Sequence, residues 1–485
     1  MKASEAAAIL DGARITGVDS EFSRLRASSL SIRPGDAFIA VKGSADDGHR
    51  YIDDALKAGA RVVICNPGTC PVNSHATATI EVPDTREALE RLLPALYPEA
   101  ERLSLIGITG TNGKTTTTYL LESVLKAAGR EPGVIGTINM RHHDVSVSSS
   151  VTTPGPLDLF EQLDSMARAG ADTCVMEVSS HSLDQDRVMG LKFDCGIFTN
   201  LSQDHLDYHK DMETYFLAKK RLFDAYLRGP AVVNADDAFG KRLVRDLPEA
   251  LTYGIRSDSA LIRVRSCKAD SEGLHLDLSS PAGDLHLDTR LMGEINAYNI
   301  MACVGACLAS GIDKGAIVSG IEALREVPGR MEPVRNRLGL TVIVDFAHTP
   351  DALLNALASA RSLTKGRLIS VFGCGGDRDR AKRPMMGSIA ARASDVVIVT
   401  SDNPRSEDPA AIIEDIIGGI EDRSRLMVEP DRREAIRLGI GVMDRGDCLL
   451  IAGKGHETYQ IIGSQRLFFD DRVCAAQCLE EVSKP

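Results

Sequence analysis

The chain has no surplus of positive charge: 56 Lys and Arg face 68 Asp and Glu, for a formal net charge of -12. That balance excludes broad nonspecific nucleic-acid binding, which needs excess basic groups to displace counterions from phosphates. It leaves room for a small anionic ligand held by a local basic cluster. No run of about 18 apolar residues is present to span a bilayer, and the opening MKASEAAAILDGARITGV lacks a basic stretch followed by an apolar core. The expected location is cytoplasmic, with no membrane and no nucleic acid as partner. The 11 cysteines include no C-x-x-C pair, so buried free thiols are expected in place of disulfides or a zinc site. Heptads, low-complexity tracts and short repeats are missing as well.

The composition that remains, 43% hydrophobic and 26% charged, is that of a folded globular protein. A chain of 485 residues exceeds what one core usually serves. Three α/β units are expected, over residues 1–98, 99–331 and 332–485. In the first, DAFIAV and RVVICN read as strands around a helix in YIDDALKAGA. The last alternates apolar strands (LTVIVDFAH, RLISVFGCGG, DVVIVTSDN, CLLIAGKGHE) with helical PDALLNALASAR and PAAIIEDIIGGIE, the pattern of a mostly parallel sheet. Each of these strands runs into a loop rich in Gly, Asp, Arg, His or Asn. Ligands of open α/β sheets bind at the carboxyl ends of strands, so the four loops are expected to converge.

The middle unit opens with LSLIGITG followed by TNGKTTTTYLLESVLKAAG, an apolar strand, a glycine loop and a helix with Leu120, Leu121, Val124 and Leu125 on one face. Gly107, Gly110 and Gly113 let backbone N–H groups approach phosphate oxygens. The helix directs its positive end at them, Lys114 can reach the β and γ phosphates, and Thr115 can ligate magnesium. The strict G-x-x-x-x-G-K-[ST] spacing is broken by Ile108, with Gly107 opening the loop one residue earlier. A plain glycine turn does not explain Gly-Lys-Thr-Thr at this junction. The loop by itself specifies a nucleotide phosphate and no reaction.

TGTNGKTT resembles the ATP loop of the Mur ligases and their folylpolyglutamate synthetase relatives. EVSSHSLDQDR, FTNLSQDHLDYH, LMGEINAYN and DFAHTPD make the likeness to the Mur ligases specific over roughly residues 100–460, and GCGGDRDRAKRP, TSDNPR and GKGHETYQ resemble the family's diaminopimelate-adding branch. The resemblance implies a monomer with an N-terminal α/β UDP-sugar domain, a central P-loop ATPase domain with a parallel sheet, and a C-terminal Rossmann-like domain. It further implies an ATP- and Mg2+-dependent ligase adding meso-diaminopimelate to UDP-MurNAc-L-Ala-D-Glu through an acyl phosphate, in peptidoglycan precursor synthesis. Carried over residue by residue, it assigns ATP to Gly110, Thr111, Asn112, Gly113, Lys114, Thr115, Thr116, Asn296, Asn299, Arg330, Asp345 and His348. Metal falls to Thr115, Glu177 and His205, and Lys219 becomes a carbamate that, with Lys114, Glu177 and His205, forms the catalytic set. Read from its own neighbourhood, Lys219 is instead one solvated lysine among three basic residues, and His209 is a structural hydrogen-bonding group.

The UDP-muramoyl dipeptide is assigned Ser29, Thr152, Thr153, Ser179, Gln185 and Arg187. Upstream the pattern departs: Ser28-Ser29-Leu30 stands where the family shows Asp-Ser-Arg, and Val151 where Asn is common. Diaminopimelate is assigned Arg378, Asp402, Asn403, Pro404, Arg405, Gly453 and Glu457. Arg405 suits a distal carboxylate through paired hydrogen bonds, and Glu457 suits the distal ammonium. The alternatives are the L-lysine-adding sister ligase, a folylpolyglutamate synthetase-like ligase, a phosphotransferase or NTPase on the same loop, and a non-enzymatic nucleotide-binding module.

Overall fold

Apolar tetrads and pentads without alternation form the interior of this protein. VVIC, the CVM of TCVME, CGIF, LISVF and CLLIA are buried along their whole length, as parallel strands covered on both faces must be. Each Leu, Ile or Phe so buried contributes about 1.5–3 kcal/mol relative to exposure. The computed structural model describes residues 1–43, 46–70, 77–149, 151–270 and 272–482. Its α/β architecture has three sheets of five, eleven and six strands, in chain order, and a two-stranded hairpin.

The N-terminal sheet runs in the order Arg14–Thr16, Ala78–Glu81, Val62–Cys65, Ala37–Ile39, Leu25–Arg26, parallel except for its first pair. At the centre of the middle sheet, Ser104–Thr109 lies parallel between Thr173–Glu177 and Cys195–Phe198. This sheet also continues through Ile262–Asp270, Gly273–Ser279 and Leu285–Thr289, an antiparallel extension. Its last strand, LHLDT, alternates buried and exposed residues, a period-two signal that no motif marks. In the C-terminal sheet, Cys448–Ala452 sits between Thr341–Asp345 and Leu368–Phe372, followed by Val396–Val399 and Leu426–Val428, all parallel.

Helix starts follow side-chain capping: Thr349 accepts from Ala352 N ahead of Pro350, and Asp408 from Ala410 N ahead of Pro409. All 11 cysteines are free thiols. Among the described residues no helix is long and apolar enough to cross a membrane.

One buried ion pair ties the C-terminal loops to the last helix, Asp471–Val482. Arg432 donates through Nε and Nη2 to the two carboxylate oxygens of Asp471, each at 2.7 Å, and through Nη2 to Ala452 O at 3.0 Å. Its Nη1 lies 3.4 Å from Ser401 O. Both side chains are fully buried, so removing one partner strands the other charge. Asp471→Ala should lower the unfolding free energy by about 3–5 kcal/mol in denaturant titration. A loss under about 1 kcal/mol, the worth of an exposed pair, would mean that water reaches the guanidinium.

Candidate functional site

The phosphate-type loop joins Ser104–Thr109 to the helix Lys114–Ala127. Gly110 and Gly113 adopt φ of 146° and 87°. A Cβ on Gly110 would stand 1.9 Å from Thr199 Oγ1, and one on Gly113 2.3 Å from Asn299 Oδ1. Both glycines are therefore required by conformation and by space. The next strand end braces the loop: Asn112 N donates to Asn200 Oδ1 at 2.9 Å, and Thr199 Oγ1 donates to Asn112 O at 2.7 Å. Lys114 Nζ folds back on the carbonyls of Gly110 and Thr111, each at 2.8 Å. Thr116 is buried beneath the loop.

Glu177, at the end of the neighbouring strand, reaches the first helical turn. Its Oε1 accepts from Thr115 Oγ1 at 3.0 Å and from Thr137 N at 2.9 Å, and its Oε2 from Thr137 Oγ1 at 2.9 Å. Thr137 was missed by sequence reasoning, because a threonine after a strand carries no motif. Arg330 enters from the start of the C-terminal segment, donating to Thr115 Oγ1 at 3.0 Å, with its guanidinium 4.6 Å from the Phe346 ring centre. Asp345 accepts from Met331 N and Ala347 N. Burial raises its pKa, and Arg330 opposes that rise. Asn299 donates to Asn296 Oδ1 at 2.8 Å, so the asparagine pair does share one helical face, against Gly113.

Lys219 corrects the reading of it as solvated. It is 1% exposed, and its Nζ donates to Gly110 O at 2.9 Å, the same oxygen that Lys114 uses. Burial, with Lys114 as a second cause, drives its pKa well below that of an ordinary lysine. A run of three basic residues hid this, since Ala218 and Lys219 face inward while Lys220 and Arg221 pair with Asp224 and Asp186. His205 is half-buried beside Asp204, 3.3 Å away, and burial lowers its pKa to about 4. His209 is the structural group expected: buried, hydrogen-bonded to Ser180 Oγ at 2.9 Å and stacked on Tyr215.

Thr115 and Glu177 offer hard oxygen atoms of the kind that suit magnesium. Among the described residues no three His, Cys, Asp or Glu side chains converge as a metal cage. Magnesium rarely needs one, because phosphate oxygens and waters complete its shell.

Five of the six residues assigned to the nucleotide sugar come together near Glu177. Thr153 Oγ1 donates to Glu177 O at 2.9 Å and accepts from Ser179 N at 3.2 Å. Arg187 donates to Thr153 O at 3.0 Å and to Gln185 Oε1 at 2.7 Å, while Thr152 Oγ1 lies 3.1 Å from Thr137 Oγ1. Ser29 stands apart on the turn Ser29–Ser31, next to a fully solvated Leu30.

The C-terminal strand ends and the segment after Cys195–Phe198 face each other across a cleft lined by Asp204, His205, His348, Arg378, Asp402, Asn403, Arg405, Gly453 and Glu457. His348 belongs to this cleft, held by its Nδ1 at 2.8 Å from Phe346 O. Pro404 is buried behind Arg405. Arg405 spends Nη1 on Gly376 O at 2.7 Å, which leaves Nε and Nη2 to offer. Gly453 has φ 116°, and a Cβ there would stand 2.5 Å from Asp402 Oδ2. Lys454 was overlooked by sequence reasoning. It is wholly buried, with Nζ 3.2 Å from Asn403 Oδ1, 3.1 Å from Glu457 Oε2 and 4.0 Å from Asp402 Oδ1. Asn403 is thereby committed on several sides, because its Oδ1 also accepts from Ile461 N at 3.0 Å and its Nδ2 donates to Glu457 Oε2 at 2.9 Å.

Residues 108–307 match the family model described as the Mur ligase middle domain, residues 329–455 the Mur ligase glutamate ligase domain, and residues 21–97 the Mur ligase family catalytic domain. A protein of Thermosynechococcus vestitus named UDP-N-acetylmuramoyl-L-alanyl-D-glutamate--2,6-diaminopimelate ligase is 45% identical over 98% of this chain and 97% of its own. One of the same name from Geobacter metallireducens is 45% identical over 96% and 95%. A solved structure bearing that name superposes with a TM-score of 0.70 at 33% identity, covering 97% of this chain and 98% of the other. MurF from Acinetobacter baumannii shares the fold, at a TM-score of 0.69 and 19% identity over 99% of this chain and 98% of its own. These matches span the loop, the strand ends and the cleft together, and the chain belongs to the Mur ligase family.

Proposed function

We propose that this chain is an ATP-dependent ligase that joins meso-2,6-diaminopimelate to UDP-N-acetylmuramoyl-L-alanyl-D-glutamate in the cytoplasm, releasing ADP. The observation that carries the reading is the cleft, which sets His205 and Asp204, beside the phosphate-type loop, across from Arg405 and Glu457. The names of the relatives identical at 45% support the same substrates.

A carboxylate must first become an acyl phosphate before an amine can displace it, and that step presses two anions together. Lys114, Arg330 and the positive end of Lys114–Ala127 offset the charge. Thr115 and Glu177 would hold Mg2+, which when bound supplies further charge neutralisation at the phosphates. Asn296 and Asn299 support the loop from behind, and Thr152, Thr153, Ser179, Gln185 and Arg187 serve the nucleotide-sugar dipeptide. At the far end, Nε and Nη2 of Arg405 suit one carboxylate of diaminopimelate. Lysine lacks that carboxylate and would leave the guanidinium without its anion.

Lys219 is suited to carry a carbamate. Carbamate formation consumes an unprotonated amine and a molecule of CO2 and releases a proton, and a lowered pKa makes that amine available near neutral pH. The product replaces a cation packed against Lys114 with an anion, which turns repulsion into attraction.

Four outcomes are expected. Lys114→Ala should abolish turnover while its thermal unfolding stays close to that of the native chain, and near-native ligation would refute the phosphate role. Lys219→Ala should lose activity and recover part of it with added short-chain carboxylates, whereas full activity without supplement would leave the carbamate no role. With the dipeptide substrate and ATP, ADP release should require an amino acid and favour meso-diaminopimelate over L-lysine by about a hundredfold or more. Arg405→Ala should lose that preference selectively. Equal or better use of lysine by the native chain would point to the lysine-adding sister enzyme.

A further inference from the structure

The short helix Ser180–Asp184 stops on an aspartate. Arg187 N donates to Ser182 O at 2.8 Å, Asp186 N lies 3.4 Å from Leu183 O, and Asp186 itself has φ 53°. This is the left-handed stop that closes many helices, and glycine fills it at least cost because it has no Cβ. Aspartate tolerates the conformation without matching glycine. A turn that had only to end a helix would gain from glycine, so the carboxylate needs its own explanation.

That carboxylate is where three elements meet. Arg86, on the helix Thr85–Leu96 that follows the N-terminal sheet, donates through Nη2 to Asp186 Oδ2 at 3.0 Å and to Gln185 O at 3.1 Å. Arg221, two residues past Lys219, donates through Nη2 to Asp186 Oδ1 and through Nη1 to Leu183 O at 2.6 Å. Tyr226 Oη also donates to Asp186 Oδ1, at 2.9 Å. The anchors stand on rigid ground: Leu89 and Leu92 beside Arg86, and Tyr215 and Phe216 ahead of Arg221, belong to one buried cluster. Asp186 and both arginines are partly solvated, and ion pairs open to water add little to stability. Fold stability is thus a poor account of why they meet. What they hold is the turn between Gln185 and Arg187, where Arg187 donates to Gln185 Oε1 and to Thr153 O.

We infer that Asp186 is a positioning residue for the UDP-muramoyl dipeptide: its carboxylate, gripped by Arg86 and Arg221, holds Gln185 and Arg187 in place for that substrate. The inference rests on the proposed ligase reaction. The substrate is long, with one part assigned to Ser29 and another to Gln185 and Arg187, so the turn must keep a fixed place relative to the N-terminal sheet. A helix of five residues gives it little stiffness of its own. Arg86 supplies the tie to that sheet, and Arg221 the tie to the helix that carries Lys219. Asp186 touches no substrate and acts through its neighbours.

The test measures kcat and all three KM values on the full chain with ATP, the UDP-muramoyl dipeptide and meso-diaminopimelate. Asp186→Gly removes the carboxylate while suiting the turn, so its thermal unfolding should stay close to that of the native chain. Its KM for the dipeptide should rise about tenfold, while KM for ATP and for diaminopimelate stays within about twofold and kcat within about threefold. Asp186→Asn, which keeps the turn and one accepting oxygen without the charge, should show a smaller rise. Arg86→Met should raise the same KM, and adding it to Asp186→Gly should cost little more, because both remove one tie. An unchanged dipeptide KM in Asp186→Gly, an equal rise in all three KM values, or a fall in kcat alone would overturn the inference and leave Asp186 as a helix stop or a general support. So would full additivity of Asp186→Gly with Arg86→Met, which would mean that the two act apart. A native chain that releases no ADP with these three substrates would instead defeat the proposed reaction itself, a separate result.

Discussion

The molecule depends on cations held close to one another around a single glycine loop. Lys114 and Lys219 donate to one carbonyl, that of Gly110, and Arg330 reaches Thr115 on the adjoining turn. Glu177 is the carboxylate that offsets Lys114 most, Asp345 offsets Arg330 most, and Asp204 is the carboxylate that acts on Lys219. Like charges so placed raise the free energy of the empty site, and the protein keeps them there because three strand ends and a helix leave them nowhere to relax. Polyphosphate, carboxylate and carbamate are the chemistry that such a field attracts. The same crowding suits a parallel sheet: carboxyl ends of adjacent strands bring Gly110, Glu177 and Thr199 within one hydrogen-bonding neighbourhood.

The C-terminal sheet solves a different problem, that of holding polar loops still. The loop at Asp402–Arg405 receives no regular secondary structure of its own, so its geometry comes from neighbours. Gln460 Nε2 donates to Asp402 O at 2.7 Å, and Arg405 N to Ile461 O at 3.1 Å, which makes the hairpin Tyr459–Phe468 a splint for the loop. Lys454 fixes Asn403 and Glu457 from beneath, and Arg432 bonds the carbonyl just before Gly453. A cleft wall with two buried ionic supports, Lys454 with Glu457 and Arg432 with Asp471, has little side-chain entropy left to lose when a charged ligand arrives. It also distinguishes supports from contacts: Asn403 is largely consumed by the protein, whereas Arg405 retains unspent donors.

Much of this was legible in the residues. Parallel strands announce themselves as unbroken apolar runs, and glycine, lysine and threonine at a strand-to-helix junction suit a bound phosphate far better than a simple turn. The central loop and the four C-terminal strand ends lie where their patterns place them. What escaped was burial of charge. Lys219 sits in a basic triplet that reads as a solvated face, and Lys454 follows a glycine, surroundings that mark a loop. Sequence periodicity reports which face of an element is apolar; it carries no information about a polar side chain that turns inward to meet a group elsewhere in the fold, as Lys219 meets Gly110 O. Thr137 escaped for a related reason, since its partner Glu177 is made by the fold.

The antiparallel extension Ile262–Thr289 shows the converse limit. Its alternation was present in the chain but lay between motifs with stronger chemical meaning, and it contributes no residue to the cleft. Motifs therefore reveal elements in proportion to the chemistry at their ends. Extensions that only cover a core are found by burial, as when Leu274, Leu276 and Leu278 pack beside Ile262, Leu285 and Leu287 in the same cluster as Leu120 and Ile300. That packing backs the helix Ile295–Ala309, whose first turn presents Asn296 and Asn299 to the phosphate-type loop. The extension thus acts on the site at one remove, by fixing the helix that limits how close Gly113 can approach.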